Sequence, residues 1–406
     1  MRATPPHRRT AALALLLAAF AACSDDPVIV EPLDVNSQPL APITMSASSD
    51  GIAELLIPTY DGSGQSVEPA VLHLPGGWRG FEYWMAQNPY PKGDPAFENP
   101  SIVTGPDGFH WAVPDGVKNP VVPLPSGVIS HNSDPELVYL AQQDKMVLFY
   151  RAVTGTRNIM FAETSADGVH WSTPSAVLDA PNHSLVSPAV VLAPGRRAKL
   201  YYVDSGPLGC SSQHTGVALR RWLGSLHDAD ALVGGAWSGA VGTDLAGPPG
   251  WIVWHLHVIW VDDRKEYWAV FPAYRVGSDC SHTDLFVARS RDAVHWQTLP
   301  DPIMRRGDAL WADRAVYRAS IEYDETGRQL KVWFSALAES GDWRVGIESF
   351  PITDLAQAMD GARPITTPLV PDRALPLFVE PSLRGGAAAA ARRRSADGPM
   401  SPDGMP

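Results

Sequence analysis

Along the central part of this chain, short runs of alternating apolar and polar residues recur in sets of three. Five segments open on a polar residue and continue apolar: EPAVLHL from Glu68, DPELVYL from Asp134, SPAVVLA from Ser187, HLHVIWV from His255 and RASIEYD from Arg318. Each is followed by a second run (YWMAQNPYP, MVLFYRAV, AKLYYVDSG, YWAVFPAY, LKVWFSAL) and a third (PSIVTG, IMFAETS, HTGVALRRW, LFVARSR, RVGIES). Runs of this length bounded by Gly, Pro, Asn and Asp predict short antiparallel strands. One strand order repeated five times, in units of about 50–70 residues, predicts an all-β fold: a five-bladed β-propeller of four-stranded antiparallel blades. A β-sandwich is the rival that the same strands could build. Either LLIPTYDG near residue 55 or PLFVEP near 376 is available as the outer strand that closes the ring.

A second repeat punctuates the first. GPDGFHW (105–111), SADGVHW (165–171) and SRDAVHW (290–296) each follow a third strand. Asp107, Asp167 and Asp292 suit tight turns because their carboxylates accept from backbone amides two residues on, and Gly108 and Gly168 tolerate positive φ. Trp111, Trp171 and Trp296 then act as wedges between sheets. The reading of these turns is structural.

The chain has 406 residues with 34 Gly, 38 Pro and 14 Trp, a composition of strands and turns. Its formal net charge of −12 argues against nucleic acid, whose phosphates select basic surfaces. Arg2, Arg8 and Arg9 precede an apolar run from Ala11 to Ala22, which reads as a secretory signal. Phe20-Ala21-Ala22-Cys23 resembles the bacterial lipobox, with Cys23 as the lipidated residue. Residues 1–22 are thus expected to be a lipoprotein signal peptide, 23–50 a flexible tether, 51–383 the propeller and 384–406 a disordered low-complexity tail. With Cys23 consumed, Cys210 and Cys280 remain, in similar loops ahead of similar strands. A disulfide between them is expected in an oxidising compartment, with two free thiols as the alternative.

In a propeller the first strand of each blade lines the central channel, so Glu68, Asp134, Ser187, His255 and Arg318 should converge at one mouth. The loops between second and third strands lie on the same face and add Glu98, Asn99 and Arg151, and His131 sits beside Asp134. Trp254 and Trp311 lie just before inner-strand starts, where an exposed ring could stack on a sugar. Carboxylates, cations, amides and aromatics together suit hydroxyl-rich ligands. Acetal cleavage needs two carboxylates flanking the bond, and Asp134, Glu68 and Glu98 are the expected catalytic set. Asn99, His131, Arg151, Ser187, Trp254, His255, Trp311 and Arg318 are the expected substrate-binding set. His255 and His257 share a strand face, yet hydrogen bonding to ligand or water is the expected role; no metal or other cofactor is assigned.

Asp134-Pro135 at a blade entrance, the five strand starts and the SxDGxxW turns resemble the five-bladed propeller glycoside hydrolases, especially family 43, over about residues 54–380. The turns are also similar to the sialidase Asp box, one residue shorter. YWMAQNPYP with ENPSIV, then HNSDPELVY with FYRAV, resembles bacterial and phage proteins described as family-43-like. The resemblance implies an aspartate base in blade one, a tuning aspartate in blade two and a glutamate acid in blade three. Glu68 and Asp134 stand at the first two positions, and residues 184–222 contain no glutamate. Two functions therefore stay open: an extracytoplasmic glycoside hydrolase-like protein using Glu98 or another loop acid, or a non-catalytic glycan-binding surface lipoprotein. Either is expected to be a monomer with a carbohydrate ligand, held by lipid in the bacterial cell envelope, on its periplasmic side or the cell surface.

Overall fold

The computed structural model describes residues 52–361 apart from 196, 225–231 and 234–235; the expected leader, tether, tail, Cys23 and the PLFVEP segment lie outside them. Five antiparallel sheets follow one another along the chain. Blade one is β2 (Ser66–Trp78), β3 (Phe81–Pro89) and β4 (Ser101–Gly105), and blade two is β5 (Ile129–Leu140), β6 (Lys145–Thr154), β7 (Arg157–Ser165) and β8 (Ser175–Pro181). Blade three is β9 (Val186–Val191), β10 (Lys199–Asp204), β11 (Gly216–Arg221) and β12 (Val241–Gly242). In blade four, β13 (Trp251–Val253) and β14 (His257–Val261) both pair with β15 (Glu266–Arg275), followed by β16 (Thr283–Ser290) and β17 (Gln297–Thr298). Blade five is β18 (Ala315–Asp324), β19 (Gln329–Leu337) and β20 (Trp343–Pro351), completed by β1 (Ala53–Leu55).

The innermost strands touch in the cyclic order β2, β5, β9, β14, β18 and back to β2, which makes the protein a five-bladed β-propeller. Closure comes from β1, whose Ala53 pairs with Ile347 of β20. Blade one departs from the four-strand pattern. Its outer position holds only a bridge between Thr104 and Ala112, because the chain there turns into the long connection to β5.

Apolar faces of adjacent blades supply the core. Ala70, Trp84 and Ile102 of blade one meet Leu137, Met146 and Leu148 of blade two, and Trp268 and Val287 of blade four meet Ile321 and Phe334 of blade five. Burying such side chains contributes roughly 1.5–3 kcal/mol each, enough over five interfaces to hold sheets too small to be stable alone. α1 (Ile352–Gly361) caps the blade four–five interface with Ile352, Leu355 and Met359.

The three repeated turns fold as one device. In each, the aspartate Oδ1 accepts two backbone amides, from Phe109 and His110, Val169 and His170, and Val294 and His295, at 2.8–2.9 Å. Each turn also plugs onto the preceding blade. Gly108 sits against Tyr83 and Trp333, with Trp333 Nε1 donating to its carbonyl, and Gly168 sits against Trp84. Ala293 holds the equivalent place at φ 78°, its carbonyl accepting from Tyr201 of blade three.

Candidate functional site

At the opposite face, every inner strand breaks step. Pairing shifts register between Val67 and Ala70 in β2 and between Ser133 and Glu136 in β5; β9 is irregular opposite Tyr201–Val203, and β18 shifts between Val316 and Ala319. Blade four is interrupted outright between β13 and β14. In the first three blades the residue at the break precedes a proline and has positive φ: Glu68 at 60°, Asp134 at 54° and Ser187 at 55°. A residue before proline prefers extended backbone, and left-handed φ in a non-glycine costs of order 1–3 kcal/mol. The strain is held in place by bonds between blades.

Those bonds form a belt. In blades one to four the break frees a backbone N–H from its ladder, and a side chain of the neighbouring blade accepts it. Asp134 N donates to Glu68 Oε2 (2.7 Å), Ser187 N to Asp134 Oδ2 (3.0 Å), Leu256 N to Ser187 Oγ (3.2 Å) and Glu68 N to Ser335 Oγ (3.3 Å). A second tier lies further along the same strands. There Val190 N donates to Glu136 Oε1, Ile321 N to His257 Nδ1 and Val71 N to Ser320 Oγ.

Val67, Glu68, Tyr90, Glu98, Arg151, Trp254, His255 and Tyr317 line the pocket at this mouth. At its base Glu68, Asp134 and His255 each present a ligand atom within 4.8 Å of the others, and none of the three is more than 5 % exposed. Asp134 Oδ2 is occupied by Arg151 Nε (2.8 Å) and the Ser187 amide, whereas Oδ1 makes no hydrogen bond. Oδ1 lies 3.3 Å from His255 Nδ1, which makes none either. His255 Nε2 is 2.8 Å from the Tyr317 hydroxyl, which accepts from Trp254 Nε1 at 2.7 Å. Asn88 Nδ2 steadies Glu68 Oε2 at 2.9 Å.

Burial sets the charges of these groups. It pushes the Glu68 carboxyl well above its ordinary range, and the adjacent Asp134 adds to the rise. For Asp134 burial works the same way but is outweighed by Arg151, then His255 and Arg318, so the carboxyl is held well below the usual range. Burial lowers His255 and keeps the imidazole neutral. Burial, then Glu68, raises the Tyr317 phenol well above its usual range, which keeps it a hydrogen-bond donor.

The donor set fits a divalent cation. Two carboxylates and a neutral imidazole are a common ligand combination, and Asp134 Oδ1 and His255 Nδ1 are orphaned, buried and adjacent. The sequence reading assigned no metal here. Its alternation argument put His255 with His257, but His257 belongs to the second tier, and Glu68 and Asp134 from other blades complete the cluster.

The expected residues divide. Glu68, Glu98, Arg151, Trp254 and His255 line the pocket, and Asp134 lies at its base. His131 is buried with Nε2 3.8 Å from Glu98 Oε2. Ser187 is a strut, its hydroxyl donating to the Leu256 carbonyl. Asn99 is also structural: its Nδ2 donates to Val122 O and its Oδ1 accepts from Asn132, so both ends of the amide tie loops together. Trp254 is buried with its N–H engaged, and Trp311 stacks on Phe334 at 5.6 Å in the blade four–five core, so neither is an open sugar platform. Arg318 is fully buried and absent from the pocket lining. Tyr317 went unremarked; its one signal was an aromatic directly before a ring-forming arginine. Cys210 and Cys280 are joined by a disulfide that ties blade three's mouth loop to blade four's.

The class is therefore a five-bladed β-propeller with a buried, mixed-charge pocket at one end of its channel. No family model matches the chain. It is 26% identical over 316 residues to an A type blood N-acetyl-α-D-galactosamine deacetylase from Flavonifractor plautii, a match covering 67% of this chain and 40% of that protein's length. The crystal structure of an N-acetylgalactosamine deacetylase from F. plautii in complex with blood group B trisaccharide superposes with a TM-score of 0.64 at 23% identity, over 78% of this chain and 94% of that one. A thermostable family-43 glycoside hydrolase gives 0.51 at 12% identity, over 70% and 89%. The resemblance to family-43-like propellers thus holds at the level of fold.

Proposed function

We propose that this protein hydrolyses acetamido groups on sugars of extracellular glycans, with a divalent cation held by Glu68, Asp134 and His255. The carrying observation is the convergence of those three side chains within 4.8 Å around two orphaned ligand atoms. A cation bound there would supply Lewis-acid polarisation of an amide carbonyl. Tyr317, kept protonated by burial, is placed to donate a hydrogen bond into the pocket, and Glu98 beside His131 is the remaining lining carboxylate for moving a proton. Arg151 holds Asp134 ionised and oriented.

Two further points favour amide hydrolysis over cleavage of a glycosidic bond. Glu68 accepts from the Asp134 backbone amide, so these two carboxyls adjoin one another and do not flank a space for a scissile bond. Their burial admits a slender substituent more readily than two sugar rings. The F. plautii relative, by its name a deacetylase, supports the same direction.

The test is acetate release from oligosaccharides ending in N-acetylhexosamine, with chelator-stripped and Mn²⁺- or Zn²⁺-restored protein. The expected result is release that disappears on stripping and returns with metal. Binding without acetate release would favour the glycan-binding alternative, and free reducing sugar would favour a glycosidase. The leader pattern supports an envelope location with lipid on Cys23, in which case Cys23→Ser should move the protein from the membrane to the soluble fraction; retention would refute the anchor.

A further inference from the structure

Directly beneath the pocket lies a group that the proposed chemistry leaves unused. Arg318 is 0 % exposed, and among the described residues none of its three guanidinium nitrogens makes a hydrogen bond. It stands between carboxylates of two tiers: Nη1 is 3.9 Å from Asp134 Oδ1, and Nη2 is 3.6 Å from Glu136 Oε2. Both facing oxygens also lack hydrogen bonds. Glu136 is held from its other side by the Val190 amide at 3.1 Å on Oε1, with His257 Nε2 3.6 Å from the same oxygen. His257 Nδ1 accepts the Ile321 amide, which places the ring's proton on Nε2, toward Glu136.

A guanidinium cannot lose its charge in a protein, so this one acts as a fixed cation shared by two carboxylates. Asp134 and Glu136 lie on the same strand, two residues apart and on either side of the proline bulge. The bulge aims both at Arg318.

We propose that Glu136 and Arg318 form a counter-charge pair that sets the cation affinity of the pocket above it: Glu136 draws the guanidinium away from Asp134 Oδ1 and so leaves that oxygen available as a ligand. Both are positioning residues, acting through Asp134 and touching neither substrate nor metal. The inference rests on the metal-assisted reading of the site and adds to it a control that operates from the second tier.

The consequence is a pair of opposite effects, which a purely structural role does not produce. Glu136→Gln keeps the acceptor for Val190 and removes the negative charge, so Arg318 turns wholly to Asp134. Arg318→Gln removes the cation. Mn²⁺ alone is titrated calorimetrically into the chelator-stripped full chain, with melting temperature followed in parallel. The expected result is a Kd about tenfold weaker for Glu136→Gln and about tenfold tighter for Arg318→Gln. Should Arg318→Gln fail to fold, Glu136→Gln decides by itself: an unchanged or tighter Kd overturns the proposal even if its melting temperature falls. Equal weakening in both Gln variants also overturns it. No Mn²⁺ binding by the wild type would refute the metal reading itself, whereas wild-type binding without opposite shifts would refute only the pair.

Discussion

The two faces of this propeller are built on different principles. On one face, three turns satisfy themselves locally: an aspartate accepts amides two and three residues on, and a small residue at positive φ plugs onto the neighbouring blade. On the other, the strained strand starts reach across to neighbouring blades. Glu68, Asp134 and Ser187 adopt the same left-handed φ, but their side chains accept amides from the next blade, across sequence separations of 53 to 69 residues. The first face is a set of interchangeable fasteners. The second is a belt running from blade to blade whose members include the proposed metal ligands Glu68 and Asp134, so in that reading stability and chemistry at the mouth cannot be mutated separately.

The sharpest way to break this comparison is at Asp134. Asp134→Ala removes a proposed metal ligand and takes away the carboxylate that Arg151, Arg318 and the Ser187 amide each face. We expect roughly 3–5 kcal/mol of lost stability in denaturant titration, together with loss of acetate release. A variant that melts like the wild type would mean that the belt is not structural.

At the turns, one substitution should be severe and its mirror image mild. Gly168→Ala would put a methyl 2.3 Å from Trp84, a buried wedge, at φ 78°. A loss of about 2–3 kcal/mol is expected. Ala293→Gly at the equivalent place of the third turn should stay within about 1 kcal/mol, because removing a methyl there is offset by relief of positive φ. Metal affinity at the far mouth should be unchanged in both.

The smallest effect sharpens the comparison with a buried acid in neither region. Burial raises the Glu163 carboxyl from 4.5 to about 7, partly opposed by the Tyr150 hydroxyl that donates to it. A folded-state value above the unfolded one means that the folded state binds the proton more tightly, so this contribution is full below about pH 4.5 and is lost as pH rises through about 7. Melting temperature should fall over that window in the wild type, and Glu163→Gln should flatten the fall. An equally steep fall in the variant would place its origin elsewhere.

How much of this was legible in the sequence follows the same division. Alternation and repetition disclosed the blades and turns because both are local properties of the chain. The polar strand starts were expected to meet at one mouth, and Glu68, Asp134 and His255 do converge there. Roles were harder to read. A bulge changes which face a residue presents, so no period-two count could place Arg318 below the pocket, set Glu136 and His257 in a second tier, or reveal that Asn99 spends both ends of its amide on loops. Trp311 was expected at the rim because it precedes an inner strand; the connection folds it back onto Phe334. The three-stranded first blade was likewise hidden, since the missing strand depends on where a long connection runs.

Closure by β1 carries a consequence for how the molecule comes into being. β1 must wait for a partner made much later in the chain, since Ala53 pairs with Ile347. Until then blade five lacks its outermost strand and the circle stays open. Long-range pairing of this kind slows folding, so the last event in forming the ring is the docking of a three-residue strand onto an otherwise finished blade five.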